Sequence, residues 1–257
     1  MHSDETFHFK GVTLLVTHYN RTNSLYNLLN AFESLHCKFD EIIVSDDGSR
    51  PENMAILEQL QEQFSFRLVK ARVNLGLGNN INKGQEAVIT PYTLYVQEDF
   101  EPTSLFPTKF AKSLQILHEN QEIDIVRYYA YFEYPYLTQP NEGFYKMDFK
   151  IWKWGYRKFY VYSDHPHLRR STYFNKFGKY LEGIKGDNTE YSMMMSFLKK
   201  NGQALFYKNF NDLFLQKNSQ SEPSTMNRDF WRESNNIVVV NIRHIYRHLK
   251  FNLDYFR

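Results

Sequence analysis

Short apolar runs alternate with helix-like periodicities through the first 130 residues, and this alternation limits the fold more than any other feature. The apolar runs have the length of strands that are buried on both faces, and they cover residues 12–16, 41–45, 66–69 and 92–96. Helical spacing follows each run, in residues 22–35, in 51–64, in a segment that ends near 88, and in 104–120. Strands joined by such helices form right-handed crossovers, so we expect an α/β protein with a mostly parallel central sheet flanked by helices.

Polar residues follow every predicted strand. Ligands of parallel sheets bind outside the carboxyl ends of the strands, so these residues are the first candidates for a site. They are Thr17, Tyr19, Asn20 and Arg21 after the first strand, Asp46 and Asp47 after the second, the loop 74–84 after the third, and Glu98 and Asp99 after the fourth. A carboxylate at such a position can accept a hydrogen bond from a nucleotide base, and paired carboxylates suit Mg²⁺ or Mn²⁺. Taken singly, each segment is also compatible with a plain turn that caps the next helix.

The four segments together resemble the family 2 glycosyltransferases of GT-A fold. The resemblance rests on the order VTLLVTHYNR, DEIIVSDDGS, NLGLG with a following NKG, and LYVQED, and it covers residues 11–105 closely and 106–205 loosely. It implies a Rossmann-type sheet in one continuous domain, with residues 1–127 as the nucleotide-sugar half and 128–257 as the acceptor half. It implies that the donor nucleotide lies against Thr17, Tyr19, Asn20, Arg21, Asp46, Asp47, Gly76, Gly78, Asn82 and Glu98.

The same resemblance implies a divalent metal ion, Mn²⁺ or Mg²⁺, held by Asp99 on the diphosphate of the donor. The chain departs from the family pattern here, because Gln97 stands where the family has the first aspartate of its Asp-x-Asp motif. A glutamine offers a metal only its neutral carbonyl oxygen. We therefore expect either Glu98 or Glu101 to compensate, or a weakly held ion.

The acceptor base is expected where the family has a Glu-Asp pair about twelve residues before a glycine. Glu190 lies twelve residues before Gly202, but the pair itself is broken, and Asp187 is the other nearby carboxylate. We predict Asp187 as the base with Glu190 supporting or replacing it, since side chains three apart share a helix face. The alternative is a capping box, in which Asp187 caps the helix and Glu190 is its partner.

Aromatic residues are distributed unevenly along the chain. Residues 129–257 hold 30 of the 44 aromatic residues, and 128–162 alone hold 15. Tyr and Trp rings stack on sugar faces and offer polar edges, so Trp152 and Trp154 are candidates for the acceptor groove, with an irregular aromatic core as the alternative. His165 and Arg169 lie in a polar segment and are further acceptor-side candidates, with a surface loop as the alternative.

Charge and cysteine content exclude other classes of protein. The chain has 31 Lys and Arg against 29 Asp and Glu, too even a balance for a protein that binds nucleic acid through its phosphates. One cysteine excludes a disulfide framework. An acidic start without an apolar segment predicts no secretory signal, and no run of about 18 apolar residues predicts a membrane span. We therefore expect a cytoplasmic protein.

The segment 241–257 has the clearest amphipathic pattern in the chain. Its apolar residues recur at helical spacing, and basic residues occupy the opposite face. We expect the apolar face to pack against the rest of the domain. The alternative is that this basic helix lies on an anionic membrane at the inner face of the bilayer.

The sequence thus predicts an inverting glycosyltransferase. It would move a sugar from a nucleotide-sugar, with UDP as the expected nucleotide, to a hydroxyl of a glycan or of a lipid-linked saccharide. The altered acidic motif and the broken Glu-Asp pair leave one alternative, a degenerate GT-A protein that binds nucleotide or glycan without turnover.

Overall fold

A computed structural model describes residues 6–217 and 237–257 of the chain. The strands in these ranges are β1 (Phe7–His18), β2 (Cys37–Asp46), β3 (Arg67–Lys70), β4 (Tyr92–Gln97), β5 (Phe100–Pro102), β6 (Ile125–Arg127), β7 (Leu137–Asn141), β8 (Phe144–Met147), β9 (His167–Arg170), β10 (Ala204–Tyr207) and β11 (Phe214–Gln216). The helices are α1 (Thr22–Ser34), α2 (Pro51–Phe64), α3 (Leu77–Glu86), α4 (Phe106–Glu119), α5 (Tyr173–Phe177), α6 (Gly186–Lys199) and α7 (Ile237–Phe256), with a 3₁₀ turn at Tyr156–Phe159.

Nine strands form one sheet in the order β3-β2-β1-β4-β9-β6-β10-β8-β7, and β5 pairs with β11 in a separate ribbon. Of these nine strands, β8 and β9 run opposite to the other seven. The register places His18 beside Asp46 and Thr17 beside Gln97. Since β9 is antiparallel to both of its neighbours, the residues that precede it lie at the same edge as the carboxyl ends of the parallel strands.

The first half of the chain folds as the periodicities predict. Leu14 and Leu15 of β1 are both fully buried, in separate hydrophobic clusters, because alternate residues of a strand point to opposite faces of the sheet. Pro51 begins α2, where its missing N–H costs no hydrogen bond. One boundary differs from the prediction, because helix α3 begins at Leu77 inside the predicted loop.

The aromatic second half fills the core on one face of the sheet. The cluster on that face holds Tyr134, Tyr156, Phe159, Tyr162, Tyr173, Phe177, Tyr180 and Phe197. Buried tyrosine hydroxyls need partners, and that of Tyr134 donates to the backbone oxygen of Lys158 at 2.8 Å. The aromatic-core interpretation therefore holds for most of these rings. Trp152 and Trp154 differ, because they are 78% and 74% exposed.

Helix α7 packs against the domain with the face opposite to the one predicted. Phe251 is buried against the rings of Tyr156 and Phe159, and Arg247 lies over the Tyr156 ring. The apolar stripe instead points outward, with Leu249 and Leu253 among its exposed members. The reason is that the domain surface beneath the helix is aromatic and accepts a mixed face of rings and cations. In the part of the chain that the structure describes, no helix is both long enough and apolar enough to cross a membrane.

Candidate active site

Two strand ends are joined by hydrogen bonds at the centre of the sheet edge. The Nδ1 atom of His18 lies 2.8 Å from Oδ1 of Asp46, and the backbone N–H of Ser49 donates to Oδ2 of Asp46 at 2.9 Å. Burial acts to raise the pKa of Asp46, but the bonds from His18 and Ser49 outweigh it and lower the pKa. Asp46 is fully buried, so its carboxylate organises these two turns.

Asn20 and Thr17 continue this arrangement on β1 and the turn after it. Asn20 has a φ of 56°, a conformation that asparagine tolerates better than most residues, and its Oδ1 accepts the N–H of Arg50 at 2.8 Å. The hydroxyl of Thr17 lies 3.1 Å from that of Tyr95. Tyr19 is half-exposed between them, which leaves part of its ring open to a ligand.

Asp47 holds the loop that leads into α3. Its two carboxylate oxygens accept the N–H groups of Leu75 and Gly76, each at 2.9 Å. Burial raises the pKa of Asp47 despite these bonds. Gly48 makes the close approach possible, because its φ is 72° and a Cβ there would lie 2.4 Å from the backbone carbon of Val73. Asp47 therefore ties the predicted base-binding turn to the donor-side loop.

Helix α3 is fastened to the segment before α6. Asn82 donates to the backbone oxygen of Tyr180 at 2.9 Å and to Oε1 of Glu182 at 2.8 Å. A Cβ at Gly78 would lie 2.2 Å from the backbone oxygen of Leu181. Gly76, predicted as a donor contact, forms the turn before α3 with a φ of 88°. Gly78 and Asn82 thus join the donor-side loop to the segment that leads into α6, the helix of Asp187 and Glu190.

Glu98 and Asp99 follow β4 and converge on one cation. The NH1 atom of Arg21 lies 3.5 Å from Oε1 of Glu98 and 3.4 Å from Oδ2 of Asp99. The side chain of Gln216 donates to the same Asp99 oxygen at 3.0 Å. All three ionic side chains are nearly buried, so the two carboxylates share one positive group, the guanidinium of Arg21.

The donor atoms at this cluster fit a divalent metal ion. Carboxylate oxygens are the ligands that Mg²⁺ and Mn²⁺ prefer, and the Arg21 nitrogen marks the point to which both carboxylates turn. The protein offers only part of a coordination shell, since no three His, Cys, Asp or Glu residues within 6–217 and 237–257 are grouped to hold a metal. Gln97 hydrogen-bonds to the hydroxyl of Tyr95, and Glu101 pairs with Lys217 at 3.7 Å. Of the two expected substitutes, Glu98 alone shares the cation with Asp99.

A second pair of carboxyl groups lies at the same edge, between the segment before β9 and the start of α6. The backbone N–H of Asp164 donates to Oε1 of Glu190 at 3.3 Å, and the two carboxyl groups are close enough for each to shift the pKa of the other. Burial raises the pKa of Asp164 well above its usual range, and the charge of Glu190 raises it further. Burial also raises the pKa of Glu190, whereas the bonds from Asp164 hold it back. The pair is therefore suited to share one proton that rests on Asp164.

Arg127 supplies the nearest positive charge to this pair. Its NH1 and NH2 donate to the backbone oxygens of Tyr160 and Tyr129, at 2.6 and 3.4 Å, so it acts on the carboxyl groups without bonding to them. Burial lowers the pKa of Arg127 to about 10, which leaves it charged at neutral pH.

The aromatic ring of His165 links the two acidic clusters. It lies 5.3 Å from the ring of Tyr129 and 5.9 Å from that of Phe100, the residue after Asp99. Its Nδ1 lies 2.8 Å from the hydroxyl of Ser163. Burial lowers the pKa of His165 to about 3, with the charge of Arg127 adding to the effect. His165 is thus a neutral ring in the wall between the clusters.

The other predicted acceptor-side residues lie in different surroundings. Asp187 is half-buried in the first turn of α6. Lys185 is the residue before that helix, and no side chain caps the helix start, so the capping-box alternative is wrong.

Arg169 is fully buried, and its Nε and NH1 donate to Gln85 and Tyr180 at 3.0 and 2.8 Å. It stabilises the interior behind the site. The structure does not place Trp152 and Trp154 with these residues, because Trp154 packs on α7.

Sequence reasoning missed Asp164 and Arg127. The density of polar groups in residues 163–170 indicates His165 and Arg169 as candidates, but it does not single out Asp164. A signal was available, because an acidic residue directly before a strand of this sheet lies at the ligand edge once that strand is known to be antiparallel. The antiparallel direction of β9 is visible only in the structure.

The sequence and the fold of the chain match a family of sugar transferases. Residues 13–178 match the family model described as "Glycosyl transferase family 2", and the chain belongs to that family. Its relatives include the poly-beta-1,6-N-acetyl-D-glucosamine synthase of Staphylococcus epidermidis, 27% identical over 90 residues that make up 35% of this chain and 22% of the relative. The chain spans about a fifth of the length of that relative.

Two further similarities support the assignment. The cholesterol galactosyltransferase of Borreliella burgdorferi is 24% identical over 134 residues, which cover 50% of this chain and 36% of that protein. The structure of S. aureus TarS 1–349 in complex with UDP-GlcNAc superposes with a TM-score of 0.62 at 15% identity, over 93% of this chain and 73% of that one. The predicted family and the predicted GT-A-like fold class are confirmed.

Proposed function

We propose that the chain is an inverting glycosyltransferase that moves a sugar from a UDP-sugar to a hydroxyl of a glycan or of a lipid-linked saccharide. One observation carries the proposal: a single sheet edge brings together the turn that carries Asp47, the carboxylates of Glu98 and Asp99, and the proton-sharing pair of Asp164 and Glu190. Transfer needs a base-binding turn, a place for the diphosphate and an acceptor base, and this edge offers a candidate for each.

Donor binding is assigned to the centre of the edge. Tyr19 would stack on the base, and Asp47 would face its imide N–H while keeping the loop before α3 closed. Asp99, with Glu98, would hold Mn²⁺ or Mg²⁺. When bound there, such an ion neutralises the charge that develops on the departing diphosphate. Arg21 would direct its guanidinium to the same phosphates, since arginine matches phosphate geometry.

Glu190 is the proposed acceptor base, and Asp164 is its positioning residue. Glu190 takes the proton of the acceptor hydroxyl while the acceptor oxygen bonds to the anomeric carbon. The bond from that carbon to the diphosphate oxygen breaks on the opposite side, and the electron pair leaves with the nucleotide. Asp164 keeps the shared proton and donates it to Glu190 as a hydrogen bond, so that Glu190 stays ionised and oriented. Asp187 stays the alternative base.

Nucleotide release tests the proposal directly. The chain is incubated with Mn²⁺ and a panel of UDP-, GDP-, CDP- and dTDP-sugars, and free nucleotide is measured with and without saccharide acceptors. We expect UDP release from at least one UDP-sugar, and its loss in Glu190→Gln with Asp187→Asn retaining most of it. The reverse pattern in these two variants would assign the base to Asp187.

A non-catalytic nucleotide or glycan binder is the second candidate. The observation that favours it is the contact of Arg21 with both Glu98 and Asp99, because a cation of the protein itself already lies where both carboxylates converge. UDP binding in a thermal-shift assay without release from any donor would support this candidate and would contradict the transferase proposal. The location at the inner face of a membrane stays a prediction.

A further inference from the structure

The outer face of α7 is apolar and exposed from Ile242 to Phe256. Six large side chains form this stripe, each between 54% and 74% exposed: Ile242, Ile245, Tyr246, Leu249, Leu253 and Phe256. The residues between them turn inward, as Phe251 does. An amphipathic helix usually buries its apolar stripe, and a contiguous exposed apolar patch marks an interaction site. The stripe therefore calls for a partner that the described residues do not provide.

Trp154 contacts α7, and the exposed Trp152 precedes it by two residues in the same segment. The ring of Trp154 lies 4.5 Å from that of His248 on α7, and Lys158 of the neighbouring turn reaches Asn252 at 3.4 Å. These contacts fix the segment 150–158 beside the helix. We call α7 together with Trp152 and Trp154 the outer surface.

The outer surface is strongly basic, in a chain whose net charge is only +2. Residues 148–158 and 237–257 contain eight Lys and Arg residues against two aspartates, and seven of the eight are at least partly exposed, Lys158 being fully buried. The two aspartates are already paired, Asp148 with Lys153 at 2.8 Å and Asp254 with Lys250 at 2.5 Å. On α7, helical spacing places Arg243, Lys250 and Arg257 along one flank of the apolar stripe, whereas Arg247 lies over the ring of Tyr156.

We propose that the outer surface binds an anionic phospholipid bilayer. Apolar side chains of a helix lying in the interface enter the acyl boundary, tryptophan rings settle at the level of the headgroups, and Lys and Arg meet anionic lipids. A second copy of the chain fits less well, because a self-complementary contact would bring two basic surfaces together with two aspartates on each side. The proposal goes beyond the transfer reaction and does not depend on it.

Vesicle sedimentation of the full chain tests the proposal without donor or acceptor. We expect binding to vesicles of phosphatidylcholine with 30% phosphatidylglycerol, weak binding to pure phosphatidylcholine, and loss of binding as salt rises. Leu249→Ser/Leu253→Ser should weaken the binding at least tenfold. The matched control is Ile56→Ser/Ile89→Ser, which removes two exposed apolar side chains from other surfaces and should bind as the parent does. Thermal melting checks that both variants are folded.

Tryptophan fluorescence gives a second readout. Vesicles should shift the emission to the blue, and Trp152→Phe/Trp154→Phe should reduce the shift while leaving sedimentation largely intact. The proposal is overturned if anionic vesicles do not bind the parent, or if the Leu249/Leu253 variant binds as the control does. The stripe would be assigned to a second copy of the chain by three results together. The parent would be a dimer in centrifugation and would not bind vesicles, and the Leu249/Leu253 variant would be a monomer. If the parent is a monomer and does not bind vesicles, the stripe would instead be covered by another part of the same chain.

Discussion

Two pairs of carboxyl groups lie at one edge of the same sheet, and they differ in how their charge is balanced. Glu98 and Asp99 share the NH1 atom of Arg21, at 3.5 and 3.4 Å. Asp164 and Glu190 face an arginine whose own hydrogen bonds go to backbone oxygens. The first pair thus has a cation in contact, whereas burial raises the pKa of both members of the second pair.

This difference separates the two kinds of work that a sugar transfer needs. Carboxylates that already converge on a positive group are arranged for a metal ion or a cationic contact. Carboxyl groups buried together without a bonded cation take up a proton instead, and one of them can then pass between protonation states. Groups whose pKa values are pushed apart by their surroundings often mark acid and base positions.

The largest expected effect is on the second pair. Glu190→Gln removes the proposed base but keeps the shape of the side chain and an oxygen for the N–H of Asp164. Loss of a general base typically costs about 10²–10⁴-fold in rate, so we expect kcat to fall about 10³-fold while UDP binding, measured by calorimetry, is unchanged. Glu58→Gln, an exposed glutamate on α2, is the control. A fall in UDP affinity with an unchanged kcat would place Glu190 on the donor side.

The next effect is on the first pair. Asp99→Asn keeps the volume but removes the charge, and we expect kcat/KM for the donor to fall about 10²-fold, within the range of one lost electrostatic contact to a transition state. The Mn²⁺ concentration for half-maximal activity should rise at the same time, because one ligand is weakened. If the activity of the parent enzyme does not depend on Mn²⁺, the proposed metal role of this pair is wrong.

Much of the first pair was accessible from the sequence, because its position follows from local rules. A buried apolar run predicts a parallel strand, its end predicts the ligand edge, and Glu98 and Asp99 stand directly at that end. The contact with Arg21 was not predicted, since the two residues to which it binds lie more than seventy positions away. The family resemblance gave a role to the carboxylates but no information on their counter-charge.

The second pair and α7 show where sequence reasoning stops. Asp164 and Glu190 meet only because β9 enters the sheet against its neighbours, and direction within a sheet is a property of the whole topology. The periodicity of α7 predicted correctly that it has an apolar stripe. It could not say which side faces the domain, because that choice depends on the aromatic surface beneath the helix.

Asp164→Asn tests whether the second pair shares a proton. In the parent we expect a bell-shaped dependence of kcat/KM on pH: activity rises as Glu190 loses its proton and falls as Asp164 loses the shared one, because two adjacent charges then repel. Asparagine can still donate to Glu190 but cannot titrate. The variant should therefore keep the acid limb and lose the alkaline limb, with about a threefold to tenfold loss at the optimum. Asp164→Ala should lose more.

Stability gives an independent check of the same proton. The folded pKa of Asp164 lies above its unfolded value, so its contribution to stability is present at acid pH and is lost as pH rises through the folded pKa. The melting temperature of the parent should therefore fall over that range, and that of Asp164→Asn should fall less. Parallel curves for the two proteins would contradict proton sharing, whatever their activities.

The smallest expected effect concerns the cation of the first pair. Arg21→Gln removes a positive charge that lies within 3.5 Å of both Glu98 and Asp99, and like charges in such a site repel. With UDP present, Mn²⁺ affinity measured by calorimetry should rise about fivefold, an effect of about 1 kcal/mol after screening by solvent. Arg50→Gln, an exposed arginine on the neighbouring turn, should leave it unchanged. If Mn²⁺ affinity instead falls in Arg21→Gln, Arg21 orders the two carboxylates for the ion and does not compete with it. The first pair would then depend on its arginine as closely as the second pair depends on its proposed shared proton.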